Sequence, residues 1–388
     1  MKNISILGAT GSIGASTLNV IRQNPDLFKV HSLVANSNVL KMLEICLEFK
    51  PEFVVFDNMF AAKSFTDEIS KTPQKVTVLS GYHHINEVAT HPDVDIVVAA
   101  IVGSQGLHSA LAAVKASKTV LLANKEALVM GGTLFMDAVK THNATLLPLD
   151  SEHNALFQCL PKDAAGRATS AGVSKLILTA SGGPFRKHSL KQMQNVTLDE
   201  ALKHPNWAMG AKVTLDSASL MNKGLELIEA HFLFDMRADK LEVLVHPQSI
   251  VHSLVQYEDG SFLAQLGEPD MCIPIAYALG YPKRIASSAK TLDLSKIATL
   301  TFEEPDLVKF PCLAYAFECL KVGKSSFTTL NAANEIAVEA LLNKQILFKD
   351  VPILIDKTLT HFSSQDLNNI DELLEFDQQV RAYTHSLI

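Results

Sequence analysis

The chain has 388 residues, of which 47% are hydrophobic and 19% charged, and its formal net charge is −7. That length exceeds one ordinary core and asks for two or three domains, and the composition excludes a disordered or fibrous chain. An acidic balance without any run of Lys and Arg argues against a nucleic-acid surface.

The first 150 residues alternate two kinds of pattern. Ile4-Ser5-Ile6-Leu7 is a short apolar run that empties into Gly8-Ala9-Thr10-Gly11-Ser12-Ile13-Gly14, ahead of a helical stretch, Ser16 to Gln23. Further strands are expected at Val30 to Ala35, Phe53 to Phe56, Ile96 to Ile101, Thr119 to Ala123 and Thr145 to Leu149, with helical patterns such as Val39 to Phe49 and Leu107 to Ala116 between most of them. Nearly continuous apolar strands between amphipathic helices describe a parallel sheet covered on both faces, the doubly wound plan, whose ligand lies at the C-terminal strand ends.

The glycines are spaced G-x-x-G-x-x-G. In isolation they are a tight turn; between a strand and a helix they suit the approach of a pyrophosphate to a helix N-terminus, with Thr10 and Ser12 as hydroxyl donors. The second strand ends in Asn36-Ser37-Asn38, with no acid before Glu44. A carboxylate there would bind the ribose 2′-hydroxyl and repel a 2′-phosphate, so this neutral turn favours NADP over NAD. Asp57 reads as an ordinary strand end. Ala99 to Gly103 is small enough to line a cofactor. Asn124-Lys125-Glu126, where the chain leaves its fifth expected strand, is either functional or simply a helix start with an acid in its first turn.

Two distant stretches look like halves of one metal site. In an extended chain Asp150 and Glu152 share a face, and a helix after Leu215 places Asn222, Glu226 and Glu229 along one stripe with Lys223 three residues before Glu226. Carboxylate oxygens suit Mg²⁺ or Mn²⁺, not zinc; the plain alternative for Asp150 and Glu152 is a solvated strand end. After a helix to about Leu160, a strand at Lys175 to Thr179 leads into Ala180-Ser181-Gly182-Gly183-Pro184-Phe185-Arg186, an anion nest or a turn. His204-Pro205-Asn206-Trp207-Ala208-Met209-Gly210 holds the only Trp and reads as a mobile flap or as a structured loop with a core Trp. Asp216 or Ser217 is expected to cap the next helix. His246 and His252 flank a further strand as structural residues. Beyond Gly280 a connecting arm precedes helices at Cys312 to Val322, Thr329 to Asn343, Val351 to Phe362 and Leu367 to Leu387, a small bundle in which Asn331, Asn334 and Glu335 pack or cap. Five cysteines without paired spacing suggest buried thiols in a reducing compartment. With no apolar run of transmembrane length and no signal-like start, a cytoplasmic protein without membrane contact is expected.

Six ordered blocks resemble the 1-deoxy-D-xylulose 5-phosphate reductoisomerase family over nearly the whole chain: Gly8 to Gly14, Ala123 to Ala127, Leu149 to His153, Ser181 to Arg186, His204 to Gly210 and Met221 to Glu226. The resemblance implies an enzyme that uses NADPH and one divalent cation, Mn²⁺ or Mg²⁺, to rearrange and reduce a phosphorylated sugar, 1-deoxy-D-xylulose 5-phosphate, to 2-C-methyl-D-erythritol 4-phosphate. It implies Asp150, Glu152 and Glu226 as metal ligands, and Ser181, Ser217, Asn222 and Lys223 around the substrate phosphate. Lys125, Ser151, Glu152 and His204 would meet the carbon backbone under a flap bearing Trp207 and Met209. Thr10, Gly11, Ser12, Ile13, Asn36, Ser37, Asn38, Ala100, Asn124, Glu126 and Gly210 would contact NADPH, and Lys125, Asp150, Glu152, His204 and Glu226 would be catalytic. Many members carry Gly-Lys-Asn where this chain has Asn36-Ser37-Asn38, so the grip on the 2′-phosphate differs. A homodimer is implied. The expected α/β fold is an N-terminal Rossmann-like doubly wound sheet (1–149), an α+β catalytic domain (150–280), an arm (281–306) and a C-terminal helical bundle (307–388). Another NADP-linked dehydrogenase would leave the three carboxylates unexplained, and a nucleotide sensor would not need the polar blocks beyond residue 150.

Overall fold

In the computed structural model, residues 1–207 and 209–388 are described; Ala208, in the expected flap, lies outside them. The chain forms two compact units. The first comprises residues 1–127, 135–154 and 270–290, the second residues 128–134, 155–269 and 291–388. These cuts differ from the four consecutive segments expected above: residues 270–290 join the first unit, and the expected arm is divided at residue 290.

The first unit is built on seven parallel strands: β1 (Lys2–Leu7), β2 (Phe28–Ala35), β3 (Phe53–Phe56), β4 (Thr77–Ser80), β5 (Ile96–Ala99), β6 (Thr119–Leu122) and β7 (Thr145–Pro148), in the spatial order β4-β3-β2-β1-β5-β6-β7. Chain order reverses between β1 and β5, where this architecture keeps its ligand crevice. Residues Ile4 to Leu7 and Ile96 to Ala99 are all buried, as expected for strands covered on both faces. Strand β4 escaped the sequence reading because it lies at the sheet edge, with no residue fully buried and therefore no apolar run. Thr119–Leu122 is consequently the sixth strand, not the fifth.

The second unit holds β8 (Val173–Ala180), β9 (Leu241–Val245), β10 (Val251–Tyr257) and β11 (Phe262–Leu266), in the order β11-β10-β8-β9. Only the β8–β9 pair is parallel. The single strand expected between His246 and His252 is the end of β9, a turn and the start of β10. Gly183 and Ser249, with φ of +65° and +53°, mark the turns at this end of the sheet. Four helices, Pro311–Val322, Ser326–Leu342, Asp350–His361 and Ile370–Ser386, form the expected bundle, with Ala332, Phe376 and Val380 buried together beneath Phe362 and Leu367. All five cysteines are free thiols. Burial pushes Cys46 up to about 11 and Cys312 and Cys319 up to about 12, which keeps them unreactive. Among the described residues no helix is long and apolar enough to cross a membrane.

Gly14 lies in the first turn of the helix Ser12–Gln23, where a β-carbon would sit 2.5 Å from the Ala9 carbonyl oxygen and 2.6 Å from that of Gly8. Backbone cannot give way as a side-chain tip can. Gly14→Ala should cost about 1–3 kcal/mol as an overpacking change, read as a lower urea midpoint; an unchanged midpoint would show that the turn is not tightly held.

Candidate functional site

In the first unit the glycine turn lies at the switch point. Gly8 has φ +95°, and a β-carbon on it would meet the Ala100 carbonyl oxygen at 2.6 Å, so the loops after β1 and β5 touch through backbone. The Gly8 and Ala9 amides donate to Val34 at 3.0 and 2.8 Å, which ties the turn to the end of β2. Gly11 is the N-cap of Ser12–Gln23 and offers no side chain to the helix start. The first amides of this 12-residue helix therefore face an edge formed by exposed Gly11 and Ser12 and half-buried Thr10 and Ile13, a setting for an anion. Asn36, Ser37 and Asn38 are exposed, and Asn38 caps Val39–Phe49 by accepting from the Lys41 amide at 3.1 Å.

Asn124 is buried with its amide bonded at both ends. Its oxygen accepts from the Ala127 amide at 3.0 Å as the cap of Lys125–Thr141, and its nitrogen donates to the Ile101 and Gly103 carbonyls at 2.6 and 2.8 Å. Its side chain thus sets the position of the loop after β5, on which Ala100 lies. Lys125 follows as the first helical residue and pairs with Asp150 at 2.6 Å; both side chains are largely shielded. Glu126 is buried in the first helical turn.

Asp150, Ser151 and Glu152 do not lie along a strand. β7 ends at Pro148 and the helix Ser151–Cys159 starts at once, so the alternation expected to align the carboxylates is absent. Asp150 sits just ahead of the helix and Glu152 in its first turn, accepting from the Ser151 hydroxyl at 2.6 Å. A carboxylate in the first turn meets the positive end of the helix dipole, which the alternating-face argument left out.

The second unit gathers the other polar residues. β8 empties into Ser181, followed by Gly182 and Gly183 at φ +83° and +65°; a β-carbon on Gly183 would come within 2.8 Å of the Ser217 carbonyl oxygen. Ser217 therefore lies beside the glycine turn. Neither Asp216 nor Ser217 caps the next helix, because both lie inside the helix Ala211–Ala218. Asp216 pairs instead with Lys212 at 3.0 Å and accepts from Asn334 at 2.8 Å. Between the two helices Leu220 takes φ +58°, a costly conformation for a bulky residue, and its buried side chain holds it there. That sharp corner starts Met221–Leu233 immediately, with Asn222 and Lys223 in its first turn. Both donate to Glu226, which is 1% exposed; Lys223 and Glu229 are also buried. A carboxylate and an ammonium shut in together survive only as a pair, and loss of one partner costs about 3–5 kcal/mol.

Three family models cover the chain: "1-deoxy-D-xylulose 5-phosphate reductoisomerase" matches residues 4–132, its "C-terminal domain" residues 146–234, and "DXP reductoisomerase C-terminal domain" residues 266–383. The 1-deoxy-D-xylulose 5-phosphate reductoisomerase of Ralstonia pickettii is 51% identical over 390 residues, spanning 100% of this chain and 98% of its own. The chain belongs to the 1-deoxy-D-xylulose 5-phosphate reductoisomerase family. The fold agrees. A crystal structure of DOX-P reductoisomerase in complex with NADPH, fosmidomycin and magnesium is similar with a TM-score of 0.94, at 47% identity and covering 100% of this chain and 98% of that one. The reductoisomerase of Zymomonas mobilis in complex with NADPH has a TM-score of 0.91 at 42% identity, with the same coverage.

In this reductoisomerase-family chain the described residues of the flap stretch, 204–207, 209 and 210, are irregular and half-buried to exposed. His204 Nδ1 accepts from the Asn206 and Trp207 amides at 3.2 and 2.9 Å, so its proton resides on Nε2, which faces the Ser181 hydroxyl at 3.0 Å. The sequence reading passed over two anchors of this loop. Asn206 donates to the Pro247 carbonyl and the Ser249 hydroxyl, both at 2.8 Å, and the Trp207 ring lies 6.0 Å from that of His252. Only the Asn inside the His-Pro-Asn-Trp wording could have signalled the first.

Burial lowers both His204 and His252 to about 4. A histidine depressed in the folded state stabilises the fold fully above its unfolded value near 6.5, and loses that contribution as pH falls towards 4. NMR titration should therefore show both rings neutral at pH 6, with stability declining between pH 6.5 and 4; a His204 midpoint at 6.5 would contradict the bonding described.

Proposed function

We propose that this chain catalyses the NADPH- and divalent-metal-dependent rearrangement and reduction of 1-deoxy-D-xylulose 5-phosphate to 2-C-methyl-D-erythritol 4-phosphate, a step of the methylerythritol phosphate route to isoprenoid precursors. Family membership along the full chain carries the reaction. The assignment of residues rests foremost on Glu226, a carboxylate buried under Lys223 and Asn222, where a purely structural helix would place an apolar side chain.

The donor chemistry fits the cofactors. Asp150, Glu152 and Glu226 would hold Mg²⁺ or Mn²⁺ through oxygen alone. The glycine turn, with Thr10, Gly11, Ser12 and Ile13 at a helix N-terminus, would cradle the pyrophosphate of NADPH; Asn36, Ser37 and Asn38 would receive its 2′-phosphate, and Ala100, Asn124, Glu126 and Gly210 would complete its contacts. When bound, the cation polarises the substrate's oxygens and the nicotinamide supplies the hydride.

The chain's own groups bind and orient. Ser181 accepts from the Gly183 amide at 3.2 Å and from His204, so its hydroxyl hydrogen can be donated to a substrate phosphate. Ser217, Asn222 and Lys223 add donors to the same anion. Lys125, Ser151 and His204 meet the carbon backbone, with the His204 Nε2–H held by the Ser181 hydroxyl until substrate arrives. Phosphate binding, remote from the reacting carbons, draws the His204–Gly210 stretch closed and sets Trp207 and Met209 over the substrate to exclude water. A homodimer is supported by β11, an edge strand that exposes Phe262, Leu263 and Leu266. Five free thiols, four of them buried, are in keeping with a reducing compartment such as the cytoplasm.

The deciding assay is NADPH oxidation with 1-deoxy-D-xylulose 5-phosphate, with and without Mn²⁺. Glu226→Gln should lower turnover by at least about 100-fold while NADPH still binds and the circular dichroism spectrum is retained. Unchanged Mn²⁺ dependence in that variant would remove Glu226 from the metal site.

With no acid at the end of β2, NADPH should be preferred to NADH. Ser37→Asp should erase or reverse the preference, because the new charge repels a 2′-phosphate and can accept from a free 2′-hydroxyl. Equal kcat/KM for both cofactors in the unmodified enzyme would count against the assignment of this turn.

A further inference from the structure

The opposite, N-terminal end of the parallel sheet carries a cluster that the reaction does not use. Strand β2 has one residue more than its partner β1 at this point: Ile4 is opposite Val30 and Ser5 opposite Ser32, so His31 is the extra residue of a bulge. Bulges in parallel pairs are rare and re-aim a side chain. The His31 ring is fully buried, yet neither of its nitrogens has a hydrogen-bond partner. It faces the His91 ring at a centroid distance of 4.6 Å, and Phe53 packs against both. Donor atoms of His31, His91 and Asp93 all lie within 4.8 Å of one another. Glu52, immediately before β3, brings a carboxylate oxygen to 3.8 Å from His31 Nε2, too far for a hydrogen bond.

We propose that His31, His91 and Asp93, with Glu52 beside them, bind a divalent transition-metal ion of the zinc type, separately from the carboxylate site of the reaction. Two imidazoles and two carboxylates suit Zn²⁺ or Co²⁺ and discriminate against Mg²⁺, which takes oxygen donors. Two carboxylates neutralise a dication once Glu52 turns from Lys29, its exposed partner at 2.8 Å. Lys118 is engaged with the His91 and Val94 carbonyls, both at 2.7 Å. A tetrahedral ion holds its donors about 3.4 Å apart, so the half-buried His91 and exposed Asp93 must move inward by about 1 Å. The loop that carries them is already anchored to β1. Asn3 donates its side-chain amide to the Asp93 carbonyl and its backbone amide to Asp95, both at 2.7 Å. The 3.3 Å hydrogen bond that His91 Nδ1 accepts from the Asp93 amide is weak enough for an ion to displace. The site would fasten the loop before β5 to β2 and β3.

The test is calorimetric titration of the chelator-treated full-length protein with Zn²⁺, in excess Mg²⁺ to fill the oxygen site, beside His91→Gln and Asp93→Asn. Both replacements lie at accessible positions and spare the buried His31. One Zn²⁺ per chain is expected, weakened at least about tenfold in each variant, while Mg²⁺-supported turnover of the variants is unchanged. Co²⁺ should give the visible absorption of a tetrahedral site in the unmodified protein and not in His91→Gln. No Zn²⁺ uptake over excess Mg²⁺, or equal uptake by all three proteins, would overturn the proposal.

Discussion

A carboxylate removed from water must meet a cation or a set of donors, and this requirement organises the functional ends of the fold. Asp150 meets Lys125, Glu226 meets Lys223 and Asn222, and Asp216 meets Lys212 and Asn334. The Glu226 and Lys212–Asp216 pairs lie within single helices, whereas two of these contacts join separate segments. The Lys125–Asp150 pair couples the helix start after β6 to the helix start after β7. The Asp216–Asn334 bond fixes the short helix bearing Ser217 to the bundle. Burying these charges in pairs fixes the polar residues in place.

Where side chains would obstruct, backbone takes over. Gly8 lets the turn after β1 lie against the loop after β5, and Gly183 lets the turn after β8 lie against Ser217. At both places a main-chain atom occupies the space a β-carbon would need, so the approach is available only to glycine. Asn124 works in the same spirit with a side chain, its amide tying the helix start to the loop after β5. The two ends of the parallel sheet differ: the glycine turn and a helix N-terminus lie at the C-terminal end, and the N-terminal end carries a bulge that buries an imidazole.

Much of this was legible in the chain itself. Strands buried on both faces leave apolar runs, so β1, β3, β5, β6 and β7 were placed within a residue or two, and Val39–Phe49 was placed without error. The pairing of Lys223 with Glu226 followed from helical spacing. Strand β4 was hidden because an edge strand has little to bury. The Asp150 and Glu152 carboxylates do converge, within 4.8 Å, but not along a strand: a helix begins at Ser151, and a local pattern of three residues cannot tell a strand end from a first helical turn. Asp216 was expected at a cap because Asp caps helices; a salt bridge one turn back and a partner 118 residues away hold it inside one instead.

The sequence by itself determined the fold class, the family and the identity of the polar residues, because burial periodicity and motif wording are local and survive without coordinates. Beyond pairs within one helix, it could not determine which of those residues touch. That Gly8 meets Ala100, that Asn206 ties its loop to Pro247 and Ser249, and that His31 bulges out beside His91 were decided by the tertiary structure alone. Such contacts join residues tens of positions apart, and their geometry depends on strand order and on backbone turns whose angles no single residue type dictates.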